Sequence, residues 1–300
     1  MTQRLTPTAV ALLTIPPLLW AGNAVVGRWA APLVSPMTLN LLRWALAFVL
    51  LLPLAGSVLH RHSPLWPQWR RFAFLSLFSI GGYNALLYLA LTTTTPLNAT
   101  LVGASMPVWM LLIGRAVFGQ TIAPRQLLGA GLSIAGVVLV LCRGQWDLLL
   151  RLHWVAGDLY VLLATAAWSY YSWLLVRPTP DSAPLRSRWA PFLMAQVVFG
   201  LLWSAAFAGG EWMLTPAHIE WGWPLVCALL FIAAGPAIIA YAAWGAGVAR
   251  AGPAVAGFFV NLTPLFTALL SLAFLGEAPQ WFHGVAFVLL VAGIVLSSRR

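Results

Sequence analysis

The sequence predicts an all-α integral membrane protein: ten transmembrane helices, arranged as two inverted-topology repeats of five, with a central cavity between the halves. Three observations lead there. The 300 residues are 61% hydrophobic and only 7% charged, against roughly 25% charged in a soluble domain. Apolar runs of the length a bilayer demands, about 20 residues, follow one another from end to end. Finally, one helix–turn–helix pattern occurs twice, 157 residues apart and without a gap. Pro96, Ala99, Pro107, Leu112, Ala116, Gly119, Leu132, Ala135, Gly136 and Leu139 return as Pro253, Ala256, Pro264, Leu269, Ala273, Gly276, Leu289, Ala292, Gly293 and Leu296, and Gln120 matches Glu277. An internal repeat in a polytopic membrane chain is the usual architecture of a secondary transporter, with its site between the halves.

The spans fall at 8–31, 36–56, 71–92, 96–118, 123–142, 155–176, 189–209, 223–247, 252–275 and 279–297. The first is long enough to cross and has no small-residue cleavage site after a short core, so no cleavable signal is expected. Pro16–Pro17 is expected to break it, because prolines remove intrahelical hydrogen bonds. Gly81–Gly82 should interrupt the third span and Gly235–Pro236 the equivalent eighth. Pro107 and Pro264 are repeat-related breaks in the fourth and ninth. Spans five and ten carry small residues, Gly129, Ser133 and Gly136 in one and Gly284, Ala292 and Gly293 in the other, which predicts close helix packing. Connections are short: a turn at 92–96 and a tight hairpin at 276–279. The halves divide as 1–143 and 154–300, five spans each. An odd number of spans per copy inverts the second relative to the first.

Arginine placement orients the chain. All sixteen basic residues are arginine. With the N-terminus in the cytoplasm, Arg4, Arg61, Arg70, Arg71, Arg115, Arg125, Arg177, Arg186, Arg188, Arg250, Arg299 and Arg300 lie inside, and Arg28, Arg43, Arg143 and Arg151 lie outside or in the outer membrane half: twelve against four. Every acidic residue but Asp181 falls outside. Both termini are expected in the cytoplasm of a multi-pass bacterial inner (plasma) membrane protein. Trp66, Trp69, Trp146, Trp154, Trp189, Trp212, Trp221, Trp223 and Trp281 sit near span ends, as interfacial anchors do. The net charge of +10 does not point to nucleic acid, since the cations are scattered singly or in pairs and form no basic face.

Several segments resemble a known family. Residues 261–277, followed by a span containing Gly293, look like the signature of the EamA-type drug/metabolite transporter superfamily. Residues 17–29 and 41–54 are similar to its first two spans. Residues 157–175 resemble the start of its second repeat, with Trp168 standing where Trp20 stands in the first. Gln120 departs from the pattern, which often has Glu there. Within the superfamily, the aromatic-rich interior resembles the YddG-type amino-acid exporters. The resemblance implies export as the direction of transport.

Polar and amphipathic side chains at membrane depth are the candidate substrate-binding residues. Trp20 and Asn23 lie one turn apart on the first span, and Trp168 and Tyr171 repeat that spacing on the sixth. Asn84 and Tyr88 share a face of the third, with Tyr83 beside them. Ser105 and Trp109 pair on the fourth span, Tyr241 and Trp244 on the eighth, and Asn261 precedes the break in the ninth. Spacings of three or four put each pair on one helix face. An unsatisfied amide in hydrocarbon costs several kcal/mol, so each asparagine needs either a wet cavity or an interhelical hydrogen bond. Arg43 is the one cation clearly within a span. It either holds a substrate carboxylate, snorkels, or caps helix carbonyls.

These features suit an alternating-access exporter of small neutral metabolites, most readily amino acids including aromatic and hydrophobic ones. The alternative is a multidrug exporter of aromatic or cationic compounds, which aromatic walls also suit but the lack of a deep carboxylate disfavours. A sugar-phosphate carrier would want several deep cations. An enzyme would need paired carboxylates, a metal cluster or a nucleophile–base pair at membrane depth, and a channel a filter or charge ring; neither pattern is present in the sequence. The expected partners are a small-molecule substrate and the lipid bilayer, with no cofactor, no metal and no nucleic acid. The chain is expected to be a monomer or weak homodimer.

Overall fold

The computed structural model describes residues 5–91, 93–94, 96–145, 147–150, 153–177, 183–275 and 280–298. They form helices joined by short turns. α1 (Pro7–Ala30) starts on the Thr6 side chain, whose oxygen accepts from the Ala9 N–H at 3.2 Å. Pro7 follows at the first position, where a missing N–H costs nothing. Pro16 and Pro17 lie inside α1 without ending it, which corrects the expected break: the helix absorbs both prolines and stays α-helical. α2 (Pro36–Ala55) has its N-terminus capped from elsewhere in the chain. The Glu211 carboxylate accepts from the Met37 and Thr38 N–H groups at 2.9 Å each and from the Thr38 hydroxyl at 2.7 Å.

The third span is one helical run made of α3 (Trp69–Ser76), a π-turn over Leu77–Gly81, and α4 (Gly82–Leu91). α5 (Pro96–Gly103) and α6 (Met106–Phe118) are separated by a break at Ala104–Ser105. α7 (Pro124–Leu141) ends the first expected half, and the short α8 (Asp147–Leu150) lies in the connection that follows. In the second half come α9 (Ala156–Val176), the short α10 (Ala183–Arg186) and α11 (Trp189–Leu214). Then α12 (Trp223–Ile232), a π-turn over Ala233–Ile239 and α13 (Ala240–Ala251) run on as one. α14 (Pro253–Val260) breaks at Asn261 before α15 (Leu262–Leu275), and α16 (Trp281–Ser298) is last.

Among the described residues, nine helices are long and apolar enough to cross a membrane. The run from Trp69 to Leu91, over the expected third span, is not one of the nine. The seventh and eighth spans end later than expected, at Leu214 and Ala251; in the first the Glu211 carboxylate is carried within the helix by its bonds to the α2 N-terminus. The hairpin at 276–279 lies outside the described residues. Both glycine-containing breaks become π-turns, at equivalent places in the two halves. A π-turn frees backbone carbonyls from the regular ladder.

α7 and α16 pack antiparallel through the small-residue stripe. A methyl group on Gly129 would come within 2.8 Å of the Gly293 carbonyl oxygen, and one on Gly136 within 3.1 Å of the Ala286 carbonyl oxygen. Under the 157-residue offset, Gly129 corresponds to Ala286 and Gly136 to Gly293. The two contacts are therefore one contact seen from each copy, as in an isologous interface. Gly284 is not part of the stripe, because a methyl there would meet nothing within 4 Å; it faces away from α7.

The tryptophans divide by role. Of the nine expected anchors, the eight whose side chains are described are all exposed, whereas Trp44, Trp168, Trp173 and Trp244 are buried; Trp146 lies outside the described residues.

Candidate functional site

The buried rings meet where the π-turns lie. Trp168 on α9, 2% exposed, touches five other rings: Trp20, Tyr83, Tyr171, Tyr241 and Trp244, at centroid distances of 5.3, 5.2, 5.2, 5.3 and 5.7 Å. Trp44 on α2 extends the group through Tyr241 at 5.0 Å. Five helices, α1, α2, α4, α9 and α13, thus contribute to one ring cluster. Three-residue spacing aligns Trp168 with Tyr171 and Tyr241 with Trp244 on their helices. Edge and tilted contacts dominate, the geometry favoured by aromatic quadrupoles.

Side-chain hydrogen bonds fix the rings. The Trp20 indole donates to the carbonyl of Pro236, within the second π-turn, at 3.4 Å. The Trp244 indole donates to the Ser172 hydroxyl at 3.1 Å, and the Tyr171 hydroxyl to the Gln196 side-chain oxygen at 2.9 Å. The first π-turn is engaged too: the Asn84 amide donates to the Ile80 carbonyl at 2.9 Å.

Beside the rings lies a buried cation. Arg43 is 5% exposed, donates from Nη2 to Asn84 Oδ1 at 2.9 Å, and lies 5.3 Å from the Trp44 ring centre. It forms no ion pair among the described residues. A guanidinium is a permanent cation, and burying one without a counter-charge is costly. Among the described residues, Arg43 Nε, Trp44 Nε1 and Trp168 Nε1 are buried donors with no partner, and Asn40 Oδ1 is a buried acceptor with none. The Arg43 and Trp44 donors lie against one another, and a free cationic donor beside a free neutral one suits an anionic ligand.

Among the described residues, the rings touch one another where the central cavity is expected. Two cavities lie elsewhere. One, of about 520 Å³, is lined by Leu265, Leu269, Trp281 and Phe287 among others. The other, of about 390 Å³, lies at the expected cytoplasmic ends of α6 and α9 and includes Phe118, Trp173 and Arg177.

The structure brings together Trp20, Tyr83, Trp168, Tyr171, Tyr241 and Trp244, with Arg43 and Asn84 adjoining through Trp44. Asn23 is half-buried and makes no hydrogen bond among the described residues. Three residues fall outside the cluster. The Asn261 amide donates to the Ala104 carbonyl at 3.1 Å and the Ser133 hydroxyl at 3.0 Å, pinning the two broken spans together at repeat-equivalent positions. Ser105 returns its hydroxyl to the Val102 carbonyl at 2.6 Å. Trp109 makes no ring contact in the cluster. Tyr88 is on α4, but its side chain lies outside the described residues. Trp44, Asn40 and Gln196 were missed. For Trp44 and Asn40 the available signal was a large ring and an amide within two spacings of Arg43.

No group of three or more potential metal ligands occurs among the described residues. Asp158, at the N-terminal end of α9, is committed to structure, accepting from the Val155 N–H at 3.0 Å, from Asn98 at 3.4 Å and from the Thr94 hydroxyl.

The model of the EamA-like transporter family matches residues 7–142 and again 155–299. The chain belongs to the EamA-like transporter family. Among its relatives is an uncharacterized transporter of Archaeoglobus fulgidus, 26% identical over 96% of both chains. The aromatic amino acid exporter YddG of Ancylobacter novellus is 24% identical over 78% of this chain and 76% of its own. A probable terminal-alkyne amino-acid exporter of Streptantibioticus cattleyicolor is 25% identical over 97% of this chain and 94% of its own. A solved crystal structure shares the fold with a TM-score of 0.73, at 22% identity and covering 96% of each chain. The family and these names indicate a multi-pass membrane transporter rather than an enzyme.

Proposed function

We propose that this EamA-like transporter exports amino acids, aromatic and hydrophobic ones included, by alternating access. The observation that carries the reading is the buried Arg43, without a counter-ion among the described residues and with the unpaired Trp44 indole against it, next to a cluster of rings. A carboxylate would neutralise the guanidinium and satisfy those donors, while an apolar or aromatic side chain would exchange ring–ring contacts for contacts with itself. The touching rings then correspond to a closed centre that opens as the halves move. The names of the two exporter relatives agree with the direction and the substrate class.

The reading includes ten spans in two inverted halves, 1–143 and 154–300, with both termini in the cytoplasm of a bacterial inner membrane and a monomer or weak homodimer as the working unit. Three features support it. The antiparallel α7–α16 interface repeats the same contact from each copy. The packing of α1 against α13 is matched by that of α9 against α4. Each half carries a π-turn in its third span.

Flux into proteoliposomes tests the function. Labelled phenylalanine, methionine and threonine are compared with a dicationic drug, with and without a pH gradient. Saturable amino-acid uptake is expected; transport of the drug alone would replace this reading with the multidrug one.

A further inference from the structure

Asn40 is 1% exposed and its side chain is only half satisfied. Its amide donates to the Ser204 hydroxyl on α11 at 3.1 Å, while Oδ1 receives no hydrogen bond among the described residues. Arg43 stands three residues further along α2, on the same face, where Cβ atoms are about 5–6 Å apart. Its Nη2 is committed to Asn84, but its Nε is free. One stretch of helix therefore offers a free cationic donor and a free neutral acceptor side by side.

We propose that Asn40 Oδ1 receives the ammonium of an α-amino acid whose carboxylate is held by Arg43, so that this face of α2 reads the zwitterion. The inference rests on the amino-acid reading given above and adds the residue that distinguishes an amino acid from a simple carboxylate. An ammonium only donates and a carboxylate only accepts. The free groups at this site are complementary to both, and the two ends of an α-amino acid are separated by a single carbon. The amide is also the group the site requires. An aspartate at position 40 would pair with Arg43 and cancel the charge that holds the carboxylate, whereas an amide presents a carbonyl dipole and leaves Arg43 cationic. A dication would meet Arg43 and be repelled.

The test measures affinities of the full-length protein in detergent, by tryptophan fluorescence, for phenylalanine and for 3-phenylpropionate, which lacks only the ammonium. The wild-type protein should prefer phenylalanine by about tenfold or more, the usual effect of a buried hydrogen bond to a charged group. Asn40→Leu should bring the ratio close to one by weakening phenylalanine alone; Asn40→Met serves if the leucine variant does not fold. Ser204→Ala removes the recorded partner of the Asn40 amide and should keep the wild-type ratio. A wild-type ratio near one, or an unchanged ratio in the Asn40 variants, overturns the proposal. So does an equal collapse in Ser204→Ala, which would make Asn40 a packing residue. If these results occur while amino-acid flux persists, only the role of Asn40 falls; absence of all amino-acid flux removes the export reading and this inference together.

Discussion

At the scale of single residues, the decisive distinction is between tryptophans that face out and those that face in. Trp20 and Trp168 could be picked from the sequence because they sit far from any span end, where an anchor has no use. Trp44 could not be separated from Trp109 in that way. A transmembrane helix that is apolar all round has no hydrophobic stripe to say which face meets protein, and here Trp44 enters the ring cluster while Trp109 does not. Trp168→Ala should remove five ring contacts together, lowering thermal stability by about 3–5 kcal/mol, the usual range for deleting a large buried ring, and abolishing amino-acid flux; a melting curve and a flux assay check both. Arg43→Gln should leave the protein folded but make phenylalanine and its methyl ester bind alike, since only the free acid carries the anion that Arg43 would hold. Retained preference for the free acid would remove Arg43 from the site. Trp20→Phe keeps the ring and loses the bond to the Pro236 carbonyl, a change of about 0.5–1.5 kcal/mol visible as a small fall in melting temperature.

At the scale of helices, glycine and proline act through what surrounds them. Gly81–Gly82 and Gly235–Pro236 were legible as interruptions and become π-turns. Pro16–Pro17 carries an equally strong local signal, yet α1 runs straight through it. Local chemistry proposes a break, and the packing of neighbouring helices decides whether the helix takes it. The α7–α16 stripe gives a sharp contrast. Gly129→Val must push a side chain toward the Gly293 carbonyl, now 2.8 Å from where the first carbon would sit. It should cost about 1–3 kcal/mol or more and reduce the yield of folded protein. Gly284→Ala, with open space around it, should be neutral. Fluorescence-detected size-exclusion profiles after graded heating separate the two outcomes.

At the scale of the whole molecule, the proposed orientation, with both termini in the cytoplasm, makes a directional prediction. In a background with Cys142 and Cys227 replaced by serine, His62→Cys should react with a membrane-impermeant thiol reagent only from the cytoplasmic side, and His153→Cys only from the opposite side. Both positions are exposed. Labelling of both from one side of intact cells would contradict the orientation read from arginine.

The sequence alone determined the membrane class, the approximate spans, the repeat and the family. Each of these is written in composition or in spacing along the chain, and spacing survives whatever the helices later do. Which rings meet, which asparagine is spent on packing and which keeps a free oxygen, and whether a proline breaks its helix were decided only in three dimensions. Those outcomes depend on how each apolar helix is rotated about its own axis. A helix without a polar face leaves that rotation to its neighbours.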